Sequence, residues 1–269
     1  LQPLKNKIIV SIALNLPGPQ AIHRLQQLGA SVIKIEPPTG DPMKIYTEQW
    51  YNEMNVGQNV IQINLKSEQG MKQLHELLNK ADIFVSATRP SAMMRLGLSW
   101  EKIKIQHPKL SMVAITGYPT PRQNEAGHDL TYQAAVGLVD DKVPKTLVAD
   151  MAGALLVVEA CLSLIIDGYN GNFNYIEVPL SNAAEYMAQP LKYGITASGS
   201  LLGGKIPEYN VYNTKKGHIA VAALEPHFKS KLENELCCST IAIKFLERTA
   251  EEWEEWAIKA DVPIHIVAE

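Results

Sequence analysis

The sequence predicts an α/β fold, with a mostly parallel, Rossmann-like sheet and a smaller α+β domain, on three observations. Short apolar runs of strand length alternate with amphipathic runs of helical spacing as far as Ile115. The first strand–turn–helix–strand unit spans about 30 residues, which is what a parallel crossover requires. After Gly117 the pattern changes, and from Glu208 onward short strands and helices follow in a different order.

Each element has its own signal. Residues 7–14 (KIIVSIAL) read as a buried strand, followed by the turn Leu16-Pro17-Gly18-Pro19. Ala21, Ile22, Leu25 and Leu28 recur at helical spacing, and Gly29 closes that helix. Residues 31–36 form the second strand, and residues 37–59, rich in Pro, Gly, Asn and Asp, read as a long loop. Residues 60–65 alternate like a strand, Met71 to Leu78 like a helix, and 83–86 like a strand. A helix over 98–106 and a strand over 110–115 complete the alternation. Further on, helices are expected at 130–138, from Met151 to about Ile166, and at 181–195, with a strand at 174–179. A Gly-containing linker covers 198–207, so the expected domains are 1–197 and 198–269. Strands near 209–213 and 218–223 and helices near 226–236 and 249–259 make up the second. The first domain lacks a GxGxxG turn, which argues against a dinucleotide site.

Composition narrows the function. The chain has 269 residues, 46% hydrophobic and 20% charged, which suits a globular protein. A net charge of −3 excludes a nucleic-acid footprint spread over the whole surface, so an anionic ligand needs a local patch of Lys and Arg. Cys161 lies in an apolar run and reads as a buried hydrophobe; Cys237 and Cys238 are adjacent. With no metal-type spacing, the three cysteines predict a reduced, cytoplasmic protein. The longest apolar run is interrupted by Glu159 and reads as too short for a membrane span.

Ligands of open α/β sheets bind at the carboxyl ends of the strands. Two polar clusters fall there: the Pro17-Gly18-Pro19 turn, and Gly117 through Asp129. Asp150 precedes the long apolar helix and reads as its N-cap, a place that also suits a positioned carboxylate. His128 reads equally as a structural histidine, Asp129 as a cap, and Glu225 as the residue before a helix opened by Pro226. Pattern alone names these residues without a reaction.

Ordered blocks along the chain add one. They are Leu16-Pro17-Gly18-Pro19, Leu28-Gly29-Ala30, residues 32–38 (VIKIEPP), Asn64-Leu65-Lys66, Arg95-Leu96-Gly97-Leu98, Ile115-Thr116-Gly117, Gly127-His128-Asp129, Leu147-Val148-Ala149-Asp150 and Leu224-Glu225-Pro226. In this order and spacing, from about Leu4 to at least Phe228, the chain resembles the family III CoA-transferases (the CaiB/BaiF superfamily), and within it the α-methylacyl-CoA racemases.

The resemblance implies an acyl-CoA thioester as substrate, no prosthetic group, no metal and no nucleic acid. It also implies an interlocked homodimer that would bring Glu225 of one chain near His128 of the partner subunit. Pro19, Lys34, Arg89, Arg95 and Gly117 become the expected CoA contacts, with Lys44 a further phosphate partner. Transferases of the family use the Asp of a Gly-X-Asp motif as nucleophile, a position held here by Asp129. Racemases carry His before that Asp, a second Asp downstream and a Glu in the small domain; His128, Asp129, Asp150 and Glu225 match all four. The expected activity is therefore epimerisation at the carbon α to the thioester, with His128 and Asp150 on opposite faces of that carbon and Asp129 and Glu225 orienting them. CoA transfer through Asp129 is the second expectation, supported by Gln133-Ala134, and a catalytically inactive partner subunit the third. The third rests on Asn55-Val56-Gly57-Gln58-Asn59, where many relatives carry a basic stretch, and on an end at Glu269 where relatives continue.

Overall fold

The computed structural model describes residues 1–236 and 241–268. It divides into two compact units, Leu1–Ala188 and Gln189–Glu269. That division falls within the stretch expected to be helical at 181–195, ahead of the expected linker. Cys237 and Cys238 lie outside the described residues.

In the first unit, β1 (Ile8–Ser11), α1 (Pro17–Gln27) and β2 (Ser31–Glu36) form the predicted crossover. The expected loop at 37–59 is instead mostly two helices, α2 (Met43–Tyr46) and α3 (Glu48–Asn55). Thr47 caps α3, accepting from the Trp50 amide, and Met43 and Met54 pack with Leu16. Both helices are short and bury only Met43 and Met54, so the periodicity is faint. Then follow β3 (Asn59–Gln62), α4 (Glu68–Leu78), β4 (Ile83–Ser86), α5 (Pro90–Leu96), α6 (Trp100–Gln106) and β5 (Ser111–Thr116). The helix expected over 98–106 is thus confined to α6, and α5 precedes it, opened by Pro90 and closed by left-handed Gly97. The unit ends with α7 (Asp129–Ala135), α8 (Val148–Tyr169), β6 (Tyr175–Pro179) and α9 (Leu180–Met187).

The six strands run parallel in the order β3-β2-β1-β4-β5-β6. The order reverses between β1 and β4, so the crevice beyond their carboxyl ends is where such a sheet binds ligands. Buried runs such as Ile9–Val10 and Phe84–Val85 pack on both faces, because helices cover both. One face carries α1 and α8; the other carries α4, α5 and α6. α8 has 22 residues and is long and apolar enough by length and composition to cross a membrane, contrary to expectation, because its Glu159 is an isolated interruption. Half of it is buried, with Ala154, Val157, Cys161 and Leu164 in the core, so it reads as a core helix. Cys161 is fully buried, which pushes its thiol up to about 12.

The second unit contains α10 (Gln189–Lys192), a turn at Leu201–Lys205 kinked at Gly203 and Gly204, and the antiparallel sheet β7 (Tyr209–Asn213), β8 (His218–Ala222) and β9 (Ile264–Ile266). Helices α11 (Pro226–Leu236), α12 (Ile241–Phe245) and α13 (Ala250–Ala260) cover it around buried Trp253 and Phe245.

Candidate active site

Two carboxylates meet where α7 and α8 begin. Asp129 is the first residue of α7 and is only 4% exposed. Its Oδ1 accepts from the Asp150 backbone N–H at 3.0 Å. Its Oδ2 accepts from Gln133 Nε2, one turn further along α7. Asp150 is the third residue of α8 rather than its cap, because the helix begins three residues earlier than expected, after Leu147. A helix N-terminus favours an anion there. Burial outweighs that preference and, with the Asp129 charge beside it, pushes the Asp150 carboxyl up to about 6. The pair thus contains one carboxylate fixed by two donors and one carboxyl able to exchange its proton near neutral pH.

His128 occupies the N-cap position of α7, exposed. Its backbone N–H donates to Thr131 Oγ1 at 3.1 Å, and that hydroxyl donates back to the His128 carbonyl at 2.8 Å. These bonds fix the backbone and leave the ring at the surface. Behind it, Tyr132 is buried against two glycines. A Cβ on Gly117 would lie 2.4 Å from the Tyr132 hydroxyl, and one on Gly127 2.4 Å from its ring. Both positions therefore require glycine through close approach. Tyr118 meets the Tyr132 ring edge-on at 5.3 Å, and Arg122 covers Tyr118 at 4.4 Å. Burial, aided by the Tyr118, Asp150 and Asp129 charges and opposed by Arg89, pushes the Tyr132 hydroxyl up to about 12. Beside the start of α8 lies an apolar cavity of about 330 Å³, lined by Thr146, Val148, Met151 and Leu155 and by Gln20 and Arg24 of α1.

A family model described as CoA-transferase family III matches residues 4–242. The chain belongs to this family. It is 30% identical over 254 residues to human succinyl-CoA:glutarate CoA-transferase, covering 83% of this chain and 57% of that one. It is 34% identical over 180 residues to the cinnamoyl-CoA:phenyllactate CoA-transferase of Clostridium sporogenes, covering 55% and 43%. The chain thus spans about half the length of these curated relatives. Among solved structures, a hypothetical protein from Mycobacterium tuberculosis superposes with a TM-score of 0.86 at 21% identity, covering 100% of this chain and 85% of that one. A CaiB/BaiF family protein from Brucella suis gives 0.85 at 20% identity, covering 100% and 84%. These two likenesses concern the fold.

Within this family III chain, the expected CoA contacts separate. Lys34 is fully buried, and its ammonium lies 2.7 Å from Asp41 and 3.0 Å from Glu36. It therefore presents no free charge to a phosphate. It pins the 37–59 segment to β2, while Asp41 Oδ1 accepts from the Asn15 and Met43 amides, each at 3.0 Å. Pro19 is buried in the first turn of α1. Arg89 and Arg95 stand exposed at the two ends of α5, and Lys44 is exposed on α2. Gly117 lies directly beyond β5, where its carbonyl accepts from Ser181. Glu225 is exposed at the start of α11 in the second unit. The structure thus brings Asp129 and Asp150 together with His128 next in the chain. Tyr132 had no sequence signal beyond its spacing. Gln133 had one, the Gln133-Ala134 pair that follows Asp129 in transferase-like fashion.

Proposed function

We propose that this chain acts on acyl-CoA thioesters by proton transfer at the carbon α to the carbonyl, centred on Asp150 and His128. The observation that carries this reading is the Asp150 carboxyl, lifted to about 6 by burial and by Asp129. A general base works best when its pKa lies near the operating pH. In the proposed step one of the two residues takes the α proton, the bond's electron pair moves into an enolate, and the other returns a proton to the opposite face. Glu225 enters the same site from a second chain of an interlocked dimer.

A second reading is CoA transfer. The named relatives are CoA-transferases, and Asp129 is held as a fixed carboxylate by Gln133 and the Asp150 amide. Here Asp129 attacks the thioester carbonyl, CoA leaves as thiolate, and the resulting anhydride is attacked by that thiolate to give an aspartyl-CoA thioester and free acid. A second acid then accepts CoA through the reverse steps.

One experiment separates them. The protein is incubated in D2O with a 2-methylacyl-CoA, with and without hydroxylamine. Deuterium at the α position, lost in Asp150→Asn, supports proton transfer. A hydroxamate on the protein, absent in Asp129→Asn, with no deuterium uptake, would falsify it in favour of transfer.

A further inference from the structure

Gln133 is 1% exposed, yet its side-chain amide faces two oxygens and no solvent. Nε2 donates to Asp129 Oδ2 and to the Thr146 carbonyl, the latter at 3.1 Å. With an acceptor before each of its two hydrogens, the amide orientation is fixed by its surroundings. One acceptor belongs to α7, which carries Asp129; the other to the segment that enters α8, which carries Asp150. The Asp150 amide closes the circuit on the other oxygen of Asp129 at 3.0 Å. The amide thus joins both elements at the point where the carboxylates meet.

We infer that Gln133 is the positioning residue of the carboxylate pair: its two hydrogen bonds fix the Asp129 side chain against the start of α8. A carboxylate that accepts N–H bonds is favoured in its charged form. Without Gln133, one Asp129 oxygen sits buried with no donor, and its charge is less balanced beside Asp150. The pair then binds its first proton more tightly. The first macroscopic pKa of two coupled sites is set by whichever binds more tightly, plus the other's share, so it rises. The other ionisable groups around the pair are Tyr132 of α7, Tyr118 beyond β5, Arg89 at α5 and His128. Tyr132, pushed up to about 12, stays neutral through the neutral range, and His128 lies outside the Gln133 bonds.

This role rests on the reading of Asp129 and Asp150 as the active pair, and its test is made without substrate. Carboxyl protonation is followed by the infrared carbonyl band from pH 4 to 8 in wild type, Gln133→Met, Gln133→Glu and Asp150→Asn. The wild type is expected to show a titration near pH 6 that Asp150→Asn removes. Gln133→Met, which keeps the volume and loses both donors, moves the inflection up by about half to one pH unit. Gln133→Glu, near-isosteric and itself acidic, moves it in the same direction and serves if the Met variant does not fold. A Gln133 variant that loses thermal stability but titrates at the wild-type pH overturns the inference and leaves a packing role. Failure of deuterium exchange in the wild type with the Gln133 shift intact would sink the proton-transfer reading alone.

Discussion

At the level of single residues, Asp129 and Asp150 show how environment divides two like groups. Both sit in the first turn of a helix, where the same backbone partial charge favours an anion. Asp129 receives two N–H donors, while Asp150 lies close to that charge and is itself desolvated. Replacing Asp150 with Asn is expected to lower the α-exchange rate by about 10²–10⁴ with little change in KM, since the lost term is proton transfer. Steady-state kinetics with the acyl-CoA substrate checks this. The acid limb of the wild-type rate should fall near pH 6 and be absent from what activity the variant keeps. His128, Asp129 and Asp150 were legible in the sequence. Gln133 was visible only as a family-like dipeptide, because its bond to Thr146 depends on how the 136–147 segment returns to α7.

Two elements owe their placement to contacts that leave weak sequence signals. The 117–129 segment is held by the Tyr132 ring against Gly117 and Gly127. Gly127→Ala puts a Cβ into that ring, and overpacking of this kind costs about 1–3 kcal/mol. A urea titration should show the loss, and Tyr132→Leu in the same chain should recover part of it. The 37–59 segment is held by Lys34, Glu36 and Asp41, with Tyr51 donating to Glu36 at 2.9 Å. Lys34→Met leaves two buried carboxylates without their cation, so a loss of about 3–5 kcal/mol is expected. CoA affinity measured at a temperature where the variant is folded should remain, since Lys34 faces inward. In sequence, Lys34 reads through the family resemblance as a CoA contact. Only the descent of Asp41 onto the sheet makes it a buried ion pair.

Over the whole molecule, the perturbed groups set how stability follows pH. Asp150 has a folded pKa raised from 3.8 to about 6, so the folded state holds its proton more tightly than the unfolded chain. Its contribution is full below about pH 4 and is lost as pH rises through 6, an effect of about 2–3 kcal/mol. Urea midpoints of Asp150→Asn should lack that fall. His107 works in the other direction. It is buried, paired with His75 at 2.8 Å and Asn79 at 2.9 Å, and burial lowers its pKa below 6.5. The unfolded chain therefore binds that proton first, and stability rises with pH up to about 6.5. For the proposed dimer, co-refolding His128→Gln with Glu225→Gln subunits should restore about one quarter of wild-type activity, since half the dimers are hybrid and each has one intact site. No recovery would place both residues in one chain's site.

The sequence by itself determined the α/β class, the first parallel crossover and the family, because each rests on local periodicity or on blocks of adjacent residues. It also named Gly127-His128-Asp129 and Asp150. The tertiary structure decided the raised carboxyl of Asp150, the burial of Lys34 and Pro19, and the bridge made by Gln133. The physical reason is that a pKa and a desolvated charge depend on neighbours distant in the chain. Asp129 and Asp150 stand 21 residues apart, and only folding brings the charge of one against the carboxyl of the other.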